Sequence, residues 1–356
     1  MASTIFAYIS SSLSRTYKYT FHPQTSLSSS SSSSPPKPCQ SIDFATILKT
    51  NTNPSSHQLF TLPDSRTLSY ATYGASTGPV VFHLHGLGDS RLTGALFDQP
   101  GKTLGVRIIA IDRPGIGSSS PQPNRTALDH AEDIRLLAAH LGAKTYSVVG
   151  VSGGGPYALA CARALPAEQL SSVSLVCGFG PYQLTVRHSR WVVWLFYQVC
   201  SRLPFLLRWM RASEIKRLQS MTTEKFVADT KVQLDGWLYR LLAPNDKDAA
   251  LFRDEGFLTL CVEVMREHFK QGIVGHMEEW RVMTAKDIGF DLGEVRRDLP
   301  VHLWYGMQDG SVSWRVGEAI AEAIGGNAKL YVRDEAHLSM IAGRGEEVLR
   351  KLLEDM

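Results

Sequence analysis

The sequence has little of what marks metal sites, disulfide scaffolds and membrane spans. Its five cysteines form no CxxC motif and no Cys/His cluster, which argues against a zinc site or disulfide framework and favours buried free thiols. No apolar run is long enough to span a bilayer, because the closest, residues 191–210, contains Gln198, Arg202, Pro204 and Arg208. Nucleotide, flavin and metal-binding motifs are also missing, so we predict no cofactor and no metal.

The first 42 residues lack acidic side chains. They contain Arg15, Lys18 and Lys37, and these three cations account for the whole formal net charge of +3. The remaining chain is near neutral, which argues against a nucleic-acid partner and a polybasic membrane patch. A serine run at residues 28–34 cannot bury enough apolar surface to offset its ordering entropy. We interpret residues 1–42 as a disordered leader and an organellar transit peptide, with plastid favoured over mitochondrion. The alternative is a disordered N-terminal tail that carries no targeting signal, on a cytoplasmic protein.

Beyond the leader, short apolar runs that end at glycine or turn signals alternate with segments of helical periodicity. This alternation predicts a doubly wound, mostly parallel α/β sheet. The expected strands are an antiparallel hairpin at 57–62 and 67–73, followed by parallel strands at 80–85, 107–112, 146–151, 173–177, 301–305 and 329–332. The expected helices include 127–141, 156–164, 316–324 and 344–353.

One long segment interrupts the alternation. Residues 184–297 have helical periodicity and no strand pattern, which predicts a helical cap inserted between two strands of a core formed by residues 43–183 and 298–356. We expect the aromatic side chains of the cap to pack inward, partly as core and partly around an apolar substrate pocket. Weak contact of the stretch 191–209 with a lipid surface is the alternative. These aromatic residues are Trp191, Trp194, Phe196, Phe205, Trp209, Trp237 and Phe257.

A G-x-S-x-G motif, formed by Gly150, Ser152 and Gly154, lies between a predicted strand and a predicted helix. A sharp strand-to-helix turn strains the backbone of the serine and needs small neighbours, and it exposes the hydroxyl at the top of the sheet. A phosphate-binding loop would require a lysine after the glycines, and none follows. The motif therefore predicts a nucleophile elbow with Ser152 as the nucleophile.

With this elbow and three further motifs, the chain from about residue 57 onward resembles the α/β-hydrolase superfamily. The run His-Leu-His-Gly-Leu-Gly at 83–88 resembles the oxyanion loop of that superfamily. The resemblance implies that the backbone N–H groups of Leu87 and Gly153 hold the oxyanion and that Gly86 allows the tight turn. We expect His85 to brace this loop by hydrogen bonds rather than to act as a base.

A serine nucleophile needs a general base and an acid that orients the base. The order of the superfamily implies that Asp309, in the loop after the strand 301–305, is the acid and that His337, after the last strand, is the base. Asp334 and Glu335 are alternative acids, but they are too close to His337 in sequence to orient it easily.

The resemblance also implies the reaction class. Relatives that open epoxides or displace halide carry aspartate at the elbow, and this chain carries serine. We predict hydrolysis of a carboxylic ester of a small-to-medium apolar substrate through an acyl-enzyme. An acyltransferase, a thioesterase and a non-catalytic ligand receptor on the same fold are the alternatives.

Overall fold

The computed structural model describes residues 42–234 and 246–356. All of the predicted leader except Ile42 lies outside the described residues, and so does Trp237 of the predicted cap. The leader and its destination therefore stay predictions.

A sheet of eight strands forms the centre of the described chain, in the order β1-β2-β4-β3-β5-β6-β7-β8. β2 pairs antiparallel with both β1 and β4, and all other neighbours are parallel. Every residue of β3, β5 and β7 is buried, as a parallel sheet covered by helices on both faces requires. The strands are β1 Gln58–Thr61, β2 Thr67–Gly74, β3 Val80–Leu84, β4 Arg107–Ile111, β5 Tyr146–Val151, β6 Leu170–Val176, β7 Val301–Gly306 and β8 Ala328–Arg333.

The predicted doubly wound sheet is thus confirmed, and each expected strand is present. The largest difference is at β6, which begins at Leu170 rather than at residue 173. The added residues include the buried Ser172, whose hydroxyl lies 2.8 Å from the hydroxyl of Ser147 on β5. Because the two hydroxyls satisfy each other, the strand contains a polar residue that an apolar pattern does not detect.

Helices cover both faces of the sheet. The first long one begins with a capping box in which Thr126 and Asp129 satisfy each other's backbone N–H groups. The α-helices of the described chain are α1 Phe44–Asn51, α2 Asp98–Leu104, α3 Ala127–His140, α4 Gly155–Ala164, α5 Tyr182–Arg187, α6 Trp191–Arg202, α7 Pro204–Ser220, α8 Thr223–Leu234, α9 Asp246–Arg253, α10 Glu255–His268, α11 Val274–Met283, α12 Trp314–Ile324, α13 His337–Gly343 and α14 Gly345–Leu353.

The described residues between β6 and β7 contain helices α5 to α11 and no strand, and we call this segment the cap. Its interior is aromatic. Tyr197 of α6 stacks on Trp280 of α11, with ring centroids 5.1 Å apart, and Phe196 meets the same indole edge to face. Because these contacts bury three aromatic rings between two helices, they account for much of the packing between α6 and α11.

The expectation that the aromatic residues of the cap pack inward is wrong for four of them. Trp191, Trp194, Phe205 and Trp209 are exposed, at 69%, 45%, 62% and 73% of their surface. Two of these residues lie on α6 and two on α7, and the sequence of a helix does not tell which of its faces a neighbour covers.

None of the helices in residues 42–234 and 246–356 combines the length and the apolarity that a bilayer span requires. The described cysteines are free, and Cys161, Cys177 and Cys200 are buried.

Replacing Trp280 by alanine should lower the free energy of unfolding by about 3 to 5 kcal/mol, because the substitution leaves a large cavity between α6 and α11. Urea denaturation followed by circular dichroism measures the change. Trp191→Ala is the matched control and should change stability by no more than about 0.5 kcal/mol, since that indole is exposed. Equal effects of the two substitutions would contradict the packing described here.

Candidate active site

The elbow has the geometry that its sequence predicts. β5 runs into a short 3-10 turn, Ser152–Gly154, and then into α4. Ser152 has φ of 49°, in the left-handed region that costs a residue with a side chain about 1 to 2 kcal/mol. A Cβ on Gly150 would lie 2.6 Å from Ala158 Cβ, and one on Gly154 would lie 2.3 Å from a backbone oxygen of β3. The chain approaches itself so closely at these two positions that only glycine fits.

The structure brings Ser152, His337 and Asp309 together at the carboxyl ends of β5, β8 and β7. The hydroxyl of Ser152 lies 3.0 Å from His337 Nε2, and His337 Nδ1 lies 2.7 Å from Asp309 Oδ2. A carboxylate only accepts, so Nδ1 carries the proton and Nε2 is free to accept from the serine. The other oxygen of Asp309 accepts from the backbone N–H groups of Ser311 and Val312, which fixes the carboxylate.

The two alternative acids point elsewhere. Asp334 accepts a hydrogen bond from Gln308, and Glu335 forms an ion pair of 2.6 Å with Arg344. Neither carboxylate has a hydrogen bond to His337 among the described contacts. Asp309 is therefore the acid that the geometry supports.

The predicted oxyanion donors are neighbours. A Cβ built on Gly153 would lie only 2.6 Å from the backbone nitrogen of Leu87, so the backbone of the residue after Ser152 packs closely against that of Leu87. The position of Gly86 is equally restricted, since a Cβ there would lie 2.6 Å from Asp89 Oδ2 and 3.4 Å from Ser152 Cβ. Two adjacent N–H donors beside a nucleophilic hydroxyl are suited to bind a developing oxyanion.

His85 lies in the core of the loop rather than in the path of the reaction. It is fully buried, its Nδ1 donates to the carbonyl oxygen of Gly86 at 2.8 Å, and its Nε2 accepts a hydrogen bond of 3.5 Å from the backbone N–H of Arg113. Burial, together with the positive charge of Arg113, holds the pKa of His85 well below its usual value, so the ring is neutral. These contacts match the bracing role expected for this histidine.

The sequence did not reveal Arg113 as a support of the site. Its guanidinium donates to the carbonyl oxygens of His85 and Gly86, at 2.6 and 3.0 Å, and to the carboxylate of Glu279 on α11, at 2.5 Å. The side chains of Arg113 and Glu279 are both fully buried. One ion pair therefore connects the oxyanion loop with the cap. The run Asp-Arg-Pro-Gly after β4 contains Arg113, but this local sequence does not indicate that the arginine pairs with Glu279 of the cap.

A second missed residue, Asp248, belongs to α9 of the cap. Its Oδ1 accepts from the backbone N–H groups of Leu338 and Ser339, at 3.0 and 2.9 Å, at the start of the helix that begins with His337. The carboxylate thus caps that helix and positions the histidine through the backbone. Nothing in the local sequence of α9 indicates this role.

A third missed carboxyl group, that of Asp89, lies beside Ser152. Burial raises the pKa of Asp89 to about 6, although the charge of Arg113 opposes the shift. Asp89 comes directly after the predicted oxyanion loop, and this position in the sequence could have indicated that it lies near the site.

The charge of His337 is set by its neighbours. Burial alone would lower the pKa of the imidazole, but the carboxylates of Asp309, Asp248 and Asp89 outweigh burial and raise it above the usual value. The protonated, imidazolium form of His337 is therefore stabilised.

Apolar side chains lie close to the nucleophile. A Cβ on Gly153 would lie 2.9 Å from Leu87 Cβ and 3.1 Å from the sulfur of Met283, the last residue of α11. A cavity of about 670 Å³ lies elsewhere, at the ends of α7 and α10, and no residue of the triad lines it. Leu87 and Met283 are thus apolar side chains close to Gly153, and the apolar pocket predicted beside Ser152 stays a prediction.

Two clusters contain metal-ligand types. Donor atoms of His268, His276 and Glu279 lie within 4.8 Å of one another. The two histidines face each other at 3.0 Å, and Glu279 is paired with Arg113. In the other cluster, His337 and Asp309 hydrogen-bond each other beside Cys177. Nε2 of His276 and Oε2 of Glu279 have no hydrogen-bond partner among the described residues, but the other donor atoms of both clusters are held by protein groups, and we assign no metal to either cluster.

Comparison with known proteins gives one family and several partial relatives. The model of the alpha/beta hydrolase family matches residues 80–350. The magnesium-chelatase 30 kDa subunit of Rhodobacter capsulatus is 38% identical over 105 residues, which are 28% of this chain and 36% of that protein. A proline iminopeptidase of Xylella fastidiosa (strain 9a5c) is 33% identical over 150 residues, 41% of this chain and 44% of that protein. The chain thus spans less than half the length of these relatives.

Among solved structures, the enol-lactonase from Burkholderia xenovorans LB400 superposes with a TM-score of 0.58. The superposition covers 83% of this chain and 100% of that chain at 18% identity. At this identity the likeness concerns the fold.

Replacing Glu279 by methionine should lower the free energy of unfolding by about 3 kcal/mol or more, because Arg113 would stay buried without its carboxylate. Thermal and urea denaturation measure the loss. Glu278→Met is the matched control, since Glu278 forms an ion pair with Arg281 near the surface and contributes less than about 1 kcal/mol. A loss no larger than that of the control would show that the buried pair does not hold the cap.

Asp248→Asn should lower the pKa of His337, because the substitution removes a negative charge that favours the imidazolium and keeps an oxygen for the two backbone donors. The ring titration is followed by NMR on protein with ¹³C-labelled histidine, and His337→Gln identifies the signal. The titration of the native protein should lie above pH 6.5, the usual value, and that of Asp248→Asn at lower pH. Asp246→Asn, on the exposed side of α9, should leave it unchanged. An unchanged titration in Asp248→Asn would contradict the electrostatic role.

Proposed function

The chain belongs to the alpha/beta hydrolase family, and within that family we propose that it is a serine hydrolase that cleaves a carboxylic ester of a small-to-medium apolar substrate. The observation that carries the proposal is the continuous hydrogen-bond chain from Ser152 through His337 to Asp309. In a hydrolase of this fold, these hydrogen bonds place a nucleophile, a base and an orienting acid within reach of one another.

The first half of the proposed reaction forms an acyl-enzyme. The oxygen of Ser152 attacks the carbonyl carbon while Nε2 of His337 takes the hydroxyl proton. Asp309 stabilises the resulting imidazolium and holds its ring in place. The imidazolium then gives its proton to the leaving alkoxide, which departs as the alcohol.

The backbone N–H groups of Leu87 and Gly153 would stabilise the tetrahedral oxyanion. Each such donor is worth about 3 kcal/mol in a site that excludes water. In the second half of the reaction, His337 activates a water molecule that attacks the acyl carbon, and Ser152 recovers its proton. The acid product is released, and no cofactor takes part.

The preference for an apolar acyl group rests on Leu87 and Met283, whose side chains lie close to Gly153, the residue after Ser152. A partly apolar wall gains free energy from each methylene that it removes from water. Thioester hydrolysis and acyl transfer would use the same acyl-enzyme and differ in the leaving group or in the acceptor.

A second candidate is hydrolysis of an amide whose substrate carries a cationic amine. Asp89 offers a buried carboxyl group beside Ser152, and a carboxylate there would pair with an ammonium group. The partial similarity to a proline iminopeptidase makes an amino-terminal proline the first such substrate to try.

Purified full-length protein should hydrolyse p-nitrophenyl esters, with a preference for one acyl length over shorter and longer ones. Ser152→Ala should lower kcat/KM by at least about 10³-fold, because the nucleophile is lost while binding and the oxyanion donors remain. Release of p-nitrophenol gives the rates, and Ser55→Ala, an exposed serine far from the triad in sequence, is the matched control.

Turnover that persists in Ser152→Ala would contradict the assignment of the nucleophile. L-proline p-nitroanilide, tested beside the esters, separates the two candidates: faster cleavage of the anilide would overturn the ester proposal in favour of the second one. A folded protein that cleaves neither compound and is strongly stabilised by a ligand would instead be a receptor on this fold.

A further inference from the structure

Two consecutive cap helices present an exposed apolar surface that the interior of the fold does not use. We call it the tryptophan face and define it by Trp191, Trp194, Leu195 and Val199 of α6 and by Phe205 and Trp209 of α7. Each of these side chains is more than a third exposed, and Trp209 reaches 73%. A large contiguous apolar surface on a folded chain marks a site of interaction.

The spacing shows that the exposed residues of α6 share one side of the helix. Trp191, Trp194, Leu195 and Val199 follow one another at intervals of three, one and four residues, which places them in one stripe. Val193, Tyr197 and Cys200 form the buried stripe on the other side. Helix α6 is thus held in the fold by its inner stripe, and its outer stripe is left for a partner.

The charged side chains in the stretch of chain that carries the tryptophan face have one sign. No aspartate or glutamate occurs between Glu168 and Glu214, a stretch that includes all of α6 and the first half of α7. Arg187, Arg202 and Arg208 are exposed in the same stretch, and none of them forms an ion pair with a described residue. The partner must therefore offer apolar surface together with negative charge.

We propose that the tryptophan face docks on the headgroup region of an anionic lipid bilayer. Exposed tryptophan, phenylalanine and leucine with arginine at the margin form the composition that inserts shallowly at a membrane surface. A symmetric contact with a second copy is disfavoured, because it would bring the arginines of both copies together. The helices would lie in the plane of the surface.

The tryptophan face lies on a helix that also packs inside the cap. The inner stripe of α6 packs on Trp280 of α11, and the same helix carries Glu279 and Met283 toward the candidate active site. The face therefore lies on the side of α6 that is turned away from α11, the helix whose last residue lies near Gly153. The proposal concerns binding to lipid and does not depend on the proposed reaction.

The test is co-sedimentation of the full-length protein with vesicles of phosphatidylcholine alone or of phosphatidylcholine mixed with phosphatidylglycerol. The protein should bind the mixed vesicles and bind phosphatidylcholine alone more weakly. The combined variant Trp191→Ser, Trp194→Ser, Phe205→Ser and Trp209→Ser should weaken binding at least about 100-fold, because even partial withdrawal of each ring from water is worth about threefold or more.

A second variant tests the charges separately. Arg187→Gln, Arg202→Gln and Arg208→Gln together should weaken binding to the mixed vesicles by about fivefold for each arginine and remove most of its dependence on salt. Leu59→Ser, which changes an equally exposed apolar residue on β1 at the edge of the sheet, is the control and should bind like the native protein. Since all these residues are exposed, circular dichroism should show folded variants.

Three results would overturn the proposal. The native protein could stay in the supernatant with both kinds of vesicle, or the combined aromatic variant could bind as tightly as the native protein. The third is a dimer in light scattering without lipid that the aromatic variant dissociates, which would identify a second copy as the partner.

Discussion

The guanidinium of Arg113 is buried between the oxyanion loop and the cap, where it donates to the carbonyl oxygens of His85 and Gly86 and to the carboxylate of Glu279. A buried cation is tolerated only where it is paired and its N–H groups are bonded. The loop and α11 must therefore keep their relative position, or the charge loses its partners. This constraint fixes Leu87 beside Gly153, and it also fixes the helix that carries Met283 toward the nucleophile.

The sheet supplies the second constraint. Ser152, Asp309 and His337 are far apart in the sequence, but each follows a parallel strand, and parallel strands end at the same edge. The cap also helps to position His337, because Asp248 accepts hydrogen bonds from the first backbone N–H groups of the helix that begins with this histidine. Core and cap thus share the task of holding the histidine between nucleophile and acid.

Most of the fold and the elbow at Ser152 follow from local patterns, whereas Asp309 and His337 followed from the resemblance to the superfamily. Short apolar runs indicated the strands, and the glycines around Ser152 indicated the elbow, because both signals depend on residues close together in the chain. The contacts of Arg113 with Glu279 and of Asp248 with α13 join distant segments of unremarkable sequence, so no pattern indicated them. The outward orientation of Trp191 and Trp209 was not predicted for a related reason: the sequence of a helix does not show which of its faces a distant segment covers.

The measurement that tests the central claim most directly is covalent labelling with a fluorophosphonate, with the modified residue located by mass spectrometry. The reagent reacts with a serine only where a base and an oxyanion site activate that serine. The account predicts one adduct, on Ser152, and a labelling rate that falls by at least about 10³-fold in His337→Ala. No adduct on the folded protein, an adduct on another residue, or equal labelling of His337→Ala would contradict it.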